Sequence, residues 1–327
     1  MKNGKIKLAL VCTKGGHFEQ MTNLSDFYDS YDHFWITNRN QQTVNTLENE
    51  KKYFVDLAHF KKPWTYLYQL PGFIKIFARE RPTHILSTGS GMTAFVPFVI
   101  AKLLGKKFLH IDTFSRVKGY SKLGTFLLKA GQQILSQWED PENPSVTYIG
   151  PVFKKVAPFE KNGNSGYIFV TVGTREEPFV RLIQGVEELK KERTIEEKVI
   201  VQAGATKYES DCLEIFDFCS PEKIEDLIRN AKYVITQESA GIGTICLKYR
   251  TRFLVMPRDY SYGELPAKSD MNEDLHLRLE EMGFTRVVHN VSEMRKAILE
   301  LDRIKTGFDF DNTLAIQTLN QFMEEAA

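Results

Sequence analysis

The feature that most constrains this chain is an alternation that occurs twice. Short apolar runs rich in β-branched and aromatic residues alternate with helical patterns, and the series starts afresh near residue 166. The first series places strands at 7–12, 33–37, 84–87, 107–111 and 146–149. The second places them at 167–172, 198–202, 213–218, 233–236 and 253–256. Strands separated by helices imply a parallel sheet with helices on its faces, so the expected fold is α/β with two Rossmann-like parallel-sheet domains. Pro151, Pro158 and the stretch Lys161-Asn162-Gly163-Asn164-Ser165-Gly166 supply turn and linker chemistry between the series. The expected domains are 1–152 and 166–305. The tail, 306–327, should hold a last helix with Leu314, Ile316, Leu319 and Phe322 on its apolar face.

An apolar fraction of 42% over 327 residues is enough for two cores. The 43 basic and 42 acidic side chains nearly cancel, so no global field gathers nucleic acid, and an anionic ligand needs a local device. Cys12, Cys212, Cys219 and Cys246 form no C-x-x-C pair. That argues against a disulfide scaffold or a structural zinc site and suits a reducing cytoplasm. No apolar run approaches the roughly 20 residues of a spanning helix, and the amino-terminal run reads as a first strand rather than a signal peptide.

Glycine follows four of the expected strands: Gly15-Gly16-His17, Gly89-Ser90-Gly91, Gly173-Thr174-Arg175 and Ala240-Gly241-Ile242-Gly243-Thr244. Amides exposed at a glycine-rich helix start can cradle an anion, and ligands of open α/β sheets bind at strand carboxyl ends. A dinucleotide-binding enzyme would need G-x-G-x-x-G and an acidic end to its second strand, where this chain has Ile36-Thr37-Asn38-Arg39. The Gly-Lys-Ser/Thr ending of a P-loop is also missing. Asp309-Phe310-Asp311 mimics a metal-binding D-x-D, but it precedes the last helix and reads as a cap.

At these loops the sequence resembles a known enzyme. The first half is similar to the membrane-associated subunit of the transferase that adds the second N-acetylglucosamine to dolichol-diphosphate-N-acetylglucosamine. The likeness lies in Gly15-Gly16-His17, Arg81-Pro82-Thr83-His84-Ile85-Leu86-Ser87-Thr88-Gly89-Ser90-Gly91, Asp112-Thr113-Phe114-Ser115-Arg116-Val117 and Tyr148-Ile149-Gly150-Pro151. The second half resembles that enzyme's catalytic, donor-binding subunit and the carboxyl domain of glycosyltransferase family 28. Its matching stretches are Phe169-Val170-Thr171-Val172-Gly173-Thr174, Val201-Gln202-Ala203-Gly204, Phe216-Asp217-Phe218, Ala240-Gly241-Ile242-Gly243-Thr244, and Pro257-Arg258 with Tyr262-Gly263-Glu264. Paired bacterial transferases of capsule and exopolysaccharide assembly look alike, and the chain looks like a natural fusion of such a pair.

The resemblance implies the GT-B architecture: two Rossmann-like domains facing a cleft, a last helix crossing back to the first domain, and no catalytic metal. It implies an inverting hexosyltransferase with a UDP-sugar as cosubstrate, no cofactor, and a polyprenyl-diphosphate-linked saccharide as acceptor. It would work as a peripheral protein at the cytoplasmic, inner face of the cell membrane; a homo-oligomer remains open. Three family positions differ. Ser239 stands where the family has His, Leu247 where a ribose-binding Glu is expected, and Asn272-Glu273-Asp274 where Asp-His-Gln is usual. A non-catalytic nucleotide-sugar or lipid-binding subunit and a GT-B-fold nucleotide-sugar epimerase are therefore the alternatives.

The residues assign roles as follows. His17 is the first choice of base, because an imidazole titrates near neutral pH; Glu19 and Asp112 are alternatives. Donor binding falls to Gly173, Thr174, Arg175, Gly204, Ser239, Gly241, Gly243, Thr244, Glu264, Glu273 and Asp274. Acceptor binding falls to Gly15, Gly16, Gly89, Ser90, Gly91 and Arg116, the last by paired hydrogen bonds to diphosphate. The stretch 61–81 reads as two short helical pieces broken at Pro71. Its Trp64, Phe73 and Phe77 beside Lys75 and Arg79 suit an anionic lipid surface.

Overall fold

The computed structural model describes residues 6–58, 62–154, 166–268, 273–306 and 311–324. It divides into two compact units, Met1–Lys155 with Phe310–Ala327, and Val156–Asp309. The linker stretch 161–165, Pro158, Lys61, Asn272 and Asp309 lie outside the described residues.

In the first unit, β1 (Lys7–Val11), β2 (Asp32–Thr37), β3 (Lys52–Phe54), β4 (His84–Ser87) and β5 (Lys107–His110) form one sheet in the order β3-β2-β1-β4-β5. Every pairing in it is parallel. Two three-residue strands, β6 (Ile134–Ser136) and β7 (Val146–Tyr148), pair in parallel beside it, and Ile111 bridges to Leu135. The helices are α1 (Gly16–Thr22), α2 (Ser25–Tyr28), α3 (Gln41–Thr46), α4 (Trp64–Glu80), α5 (Gly91–Leu103) and α6 (Lys122–Lys129).

The second unit repeats the plan. Its strands are β8 (Tyr167–Thr171), β9 (Lys198–Gln202), β10 (Glu214–Phe216), β11 (Tyr233–Thr236), β12 (Arg252–Val255) and β13 (Thr285–Val287), in the order β10-β9-β8-β11-β12-β13. All are parallel. Its helices are α7 (Val180–Lys191), α8 (Pro221–Asn230), α9 (Ala240–Lys248), α10 (Asp274–Glu281) and α11 (Val291–Leu299). The central strands β8 and β11 carry unbroken apolar runs, Ile168-Phe169-Val170 and Tyr233-Val234-Ile235, before a buried threonine, as suits a sheet covered on both faces.

The last helix, α12 (Thr313–Glu324), belongs to the first unit. It buries Ala315, Leu319 and Met323 among Leu24, Phe27 and Tyr31, and Asn312 Nδ2 donates to the Asn23 carbonyl at 2.5 Å. Its buried stripe is therefore shifted from the expected one: Leu314 is exposed, while Ile316 and Phe322 pack only at the margin.

Helix α4 runs unbroken through Pro71. Proline removes one amide from the helix ladder. Here Pro71 and Leu67, whose carbonyl that amide would have met, are both exposed, so water can serve the carbonyl in its place.

In both sheets the chain leaves the first strand on one side and returns on the other. The order reverses between β1 and β4, and again between β8 and β11. At such a switch point the loops beyond the strand carboxyl ends diverge and leave room for a ligand.

Candidate active site

At the first switch point the loop after β1 faces the loop after β4. Gly15 takes φ +84° as it enters α1, and His17 occupies the first turn. The Nδ1 of His17 lies 2.7 Å from the Thr88 carbonyl oxygen, and the Thr88 hydroxyl donates to the His17 carbonyl at 2.7 Å. A carbonyl only accepts, so the proton sits on Nδ1 and Nε2 carries the lone pair. Nε2 has no hydrogen-bond partner among the described residues. Burial pushes the His17 pKa down, against a smaller upward pull from the Thr88 carbonyl. The ring is thus neutral at neutral pH, oriented, and basic at one nitrogen.

Gly89 is required by this arrangement. Its φ is +108°, and a Cβ there would lie 2.7 Å from His17 Cε1 and Nδ1. Gly89→Ala is expected to push the imidazole off Thr88. Turnover should fall about tenfold or more, with nucleotide affinity unchanged by calorimetry. Equal turnover in a folded Gly89→Ala variant would detach the His17 orientation from catalysis.

Asp112 follows β5, but its carboxylate is turned inward. It is buried; Oδ1 accepts the Thr113 amide at 2.9 Å and Oδ2 the Ser121 amide at 2.8 Å. Burial pushes its pKa up, yet His110 and the Ser121 amide outweigh this and hold the group below the usual carboxylate range. It clamps the loop as an ionised acceptor, which ill suits a base needing an unoccupied oxygen. Glu19 lies in the first turn of α1. Ser90 caps α5, accepting from the Met92 amide, and Gly91 is buried within that helix. Gly16 meets nothing at its missing Cβ, and Arg116 is exposed with no ion pair among the described residues.

At the second switch point several expected donor glycines are packed against the protein itself. A Cβ on Gly173 (φ +77°) would overlap the Gln237 amide at 1.9 Å, and one on Gly204 would meet the Gly173 carbonyl at 2.5 Å. Gly243 is buried, and a Cβ there would make ordinary contact with His276 at 3.5 Å and Phe253 at 3.7 Å. Ser239 caps α9 by accepting from the Ile242 amide, and the Thr244 hydroxyl donates back to the Ala240 carbonyl. Gly241, Thr174 and Arg175 are exposed beyond the strand ends. Glu273 and Asp274 stand at the start of α10. Glu264 is buried, and its carboxylate is already engaged: it accepts from Arg181 at 2.8–3.0 Å and from the Asp259 amide at 2.8 Å.

Arg258 holds these loops together, a role the sequence did not display. It is 1% exposed. Its guanidinium donates to the carbonyls of Val172 (2.9 Å), Glu177 (2.8 Å) and Glu264 (3.1 Å) and to the Gln237 side chain, and it lies over the Phe179 ring. One cation therefore ties the loops after β8, β11 and β12. Beside it Glu238, also unassigned from sequence, accepts the Arg258 backbone amide at 2.8 Å through Oε2.

The expected lipid face is corrected on α4. Phe73 and Phe77 are buried against the sheet, because they fall on the helix face that carries Ile76 and Glu80. The outer face carries Trp64, Leu67, Tyr68 and Ile74, at 53%, 69%, 80% and 52% exposure, with Lys75 and Arg79 exposed beside them. No described helix is long and apolar enough to cross a membrane, and no cluster of three His, Cys, Asp or Glu among the described residues is arranged for a metal.

No family model matches the chain, and no curated protein sequence is similar enough to count as a relative. Solved structures do match. The UDP-GlcNAc 2-epimerase of Methanocaldococcus jannaschii superposes with a TM-score of 0.67 at 11% identity, covering 98% of this chain and 100% of that one. Staphylococcus aureus MnaA, in a co-structure with UDP, gives 0.68 at 14% identity, covering 98% and 96%. The glycotransferase of kitacinnamycin gives 0.63 at 13% identity, covering 96% and 98%. These likenesses, with two all-parallel Rossmann-like sheets, define the fold as α/β of the GT-B type.

Proposed function

We propose that the chain is an inverting glycosyltransferase. It would move a sugar from a UDP-sugar to a polyprenyl-diphosphate-linked saccharide, its first unit holding the acceptor and its second the donor. The supporting observation is His17: a neutral imidazole at a switch point, with Nδ1 held by a backbone carbonyl and Nε2 carrying the lone pair. In this reading Nε2 takes the proton of the acceptor hydroxyl as that oxygen attacks the anomeric carbon. The departing diphosphate gains negative charge, and the amides opening α9 with Arg175 stabilise it. The order of halves, acceptor then donor, fits a fusion of two subunits serving surface polysaccharide or glycan assembly.

This reading needs no metal. UDP release should depend on a lipid-diphosphate saccharide and persist in EDTA. Loss of turnover in EDTA, restored by magnesium or manganese, contradicts a metal-free departure.

A lipid-linked acceptor requires a protein that works at the membrane surface, and the outer face of α4 is suited to it. Trp64, Leu67, Tyr68 and Ile74 form an apolar stripe with cations at its edge, fit for acyl chains and anionic headgroups. Replacing all four by Ser is expected to weaken binding to anionic phospholipid vesicles by on the order of tenfold or more, leaving UDP affinity intact. Undiminished vesicle binding by the folded variant removes this face from the proposal.

The second reading, a nucleotide-sugar epimerase, is favoured by the full-length likeness to the M. jannaschii epimerase. It predicts isomerisation of the donor sugar with no acceptor present.

A further inference from the structure

Glu238 is a carboxylate that makes no ion pair among the described residues, although Arg258 and Arg175 are near enough to act on its charge. It stands two residues beyond the end of β11 and directly precedes Ser239, the cap of α9. The nearest guanidinium, Arg258, spends its donors on backbone carbonyls and the Gln237 side chain. Only its backbone amide reaches Glu238, at Oε2. No ion pair or side-chain hydrogen bond to Glu238 occurs among the described residues; its carboxylate accepts only from backbone amides, those of Arg258 and of Glu238 itself. Glu238 caps no helix and closes no salt bridge, yet it is partly withdrawn from water, and burial pushes its pKa up against the opposing influence of Arg258 and Arg175. A partly desolvated carboxylate with no ion-pair partner costs stability, and such groups concentrate at functional sites.

The surroundings specify the ligand chemistry. Arg175, Gly241 and the first amides of α9 offer donors to an anion. Glu238 offers the reverse, an acceptor for hydroxyl groups. A ligand satisfying both carries phosphate at one end and a hydroxyl-rich ring at the other. We propose that Glu238 is the specificity-determining acceptor for ring hydroxyls of the nucleotide-sugar, its carboxylate taking the hydroxyl hydrogens while the diphosphate lies at the opening of α9. This rests on the nucleotide-sugar reading above. Either the ribose or the transferred sugar presents the required hydroxyls.

The test is calorimetric titration of the full chain and its Glu238→Ala and Glu238→Gln variants with UDP, 2′-deoxy-UDP, 3′-deoxy-UDP and a panel of UDP-hexoses. Circular dichroism confirms folding. If the ribose is read, Glu238→Ala should weaken UDP about 10- to 100-fold, the scale of a hydrogen bond to a charged group. The same change should then leave the affinity for one deoxy analogue unaltered. If the hexose is read, UDP should bind both proteins equally and the loss should appear only with UDP-hexoses. Tighter UDP binding by Glu238→Gln, with every UDP-hexose unaffected or improved, overturns the proposal, because the carboxylate would then act only as a repelling charge. Unchanged affinities throughout overturn it equally. A wild-type chain that binds none of these ligands removes the nucleotide-sugar reading and this inference with it. Loss confined to the variants leaves that reading in place.

Discussion

Replacing His17 by Ala should lower turnover about 100-fold or more, the usual scale for removing a general base, with little change in donor affinity. The imidazole belongs to the first unit, and the diphosphate is assigned to amides of the second, so the loss should fall on the chemical step. The pH profile gives a second signature. A base works only when unprotonated, and burial lowers the His17 pKa below the ordinary histidine value. The acidic limb of turnover should therefore lie below pH ~6.5, with activity falling as pH drops through it, and His17→Ala should abolish that limb. A structural histidine would instead produce a modest loss and a lower melting temperature. The comparison with Asp112→Asn is informative. An amide there offers an NH2 group to one of the two backbone amides that the carboxylate now accepts. The expected cost is about 1–3 kcal/mol of stability, with turnover falling only as far as the loop loosens. A stable, inactive Asp112→Asn beside an active His17→Ala transfers the role of base to Asp112.

Arg258→Met should have the largest effect on stability. It strips donors from the carbonyls of Val172, Glu177 and Glu264, which are left in a site the guanidinium fills almost completely. Breaking a buried charged network costs about 3 kcal/mol or more, which corresponds to roughly 6–12 °C in melting temperature for a unit of this size. UDP affinity should fall with it, since the same cation fixes the Gln237 side chain against Gly173 and so the loop that carries Thr174 and Arg175. Lysine should restore part of the stability at best: its ammonium lacks the forked geometry that reaches three loops. An unchanged melting temperature for Arg258→Met contradicts the account of these loops.

The parts of the fold legible in the sequence were those with local causes. The strands 84–87, 198–202 and 233–236 match β4, β9 and β11 end to end, because each is built on an unbroken apolar centre, Ile85-Leu86, Val199-Ile200-Val201 and Tyr233-Val234-Ile235, as strands covered on both faces require. Strands β3, β6 and β13 escaped detection because three residues hold no period; the equally short β7 and β10 were found only as parts of the longer runs 146–149 and 213–218. The reading of 61–81 erred for a reason specific to α4, which has apolar residues on two faces. Composition cannot say which face meets the sheet, and Phe73 and Phe77 went inside while Leu67 and Tyr68 stayed out. The candidate site was legible as positions in the fold, not as roles. His17 and the glycine turns were identified from their place after strands. The partners of Arg258, drawn from β8, β11 and β12 loops up to 86 residues away, exist only once the sheet order is known. Glu238 left one trace: a carboxylate in the two-residue link between a buried strand and a capping serine.

The most direct test of the central claim is product analysis by nuclear magnetic resonance. The intact chain is incubated with UDP-hexoses, with and without a polyprenyl-diphosphate-linked saccharide, in the presence of EDTA. The account predicts a new glycosidic linkage on the lipid-linked saccharide, of inverted anomeric configuration, with one UDP released per bond and no change in the donor when the acceptor is omitted. Epimerisation of the donor sugar in the absence of acceptor, with no linkage formed when it is present, would contradict it.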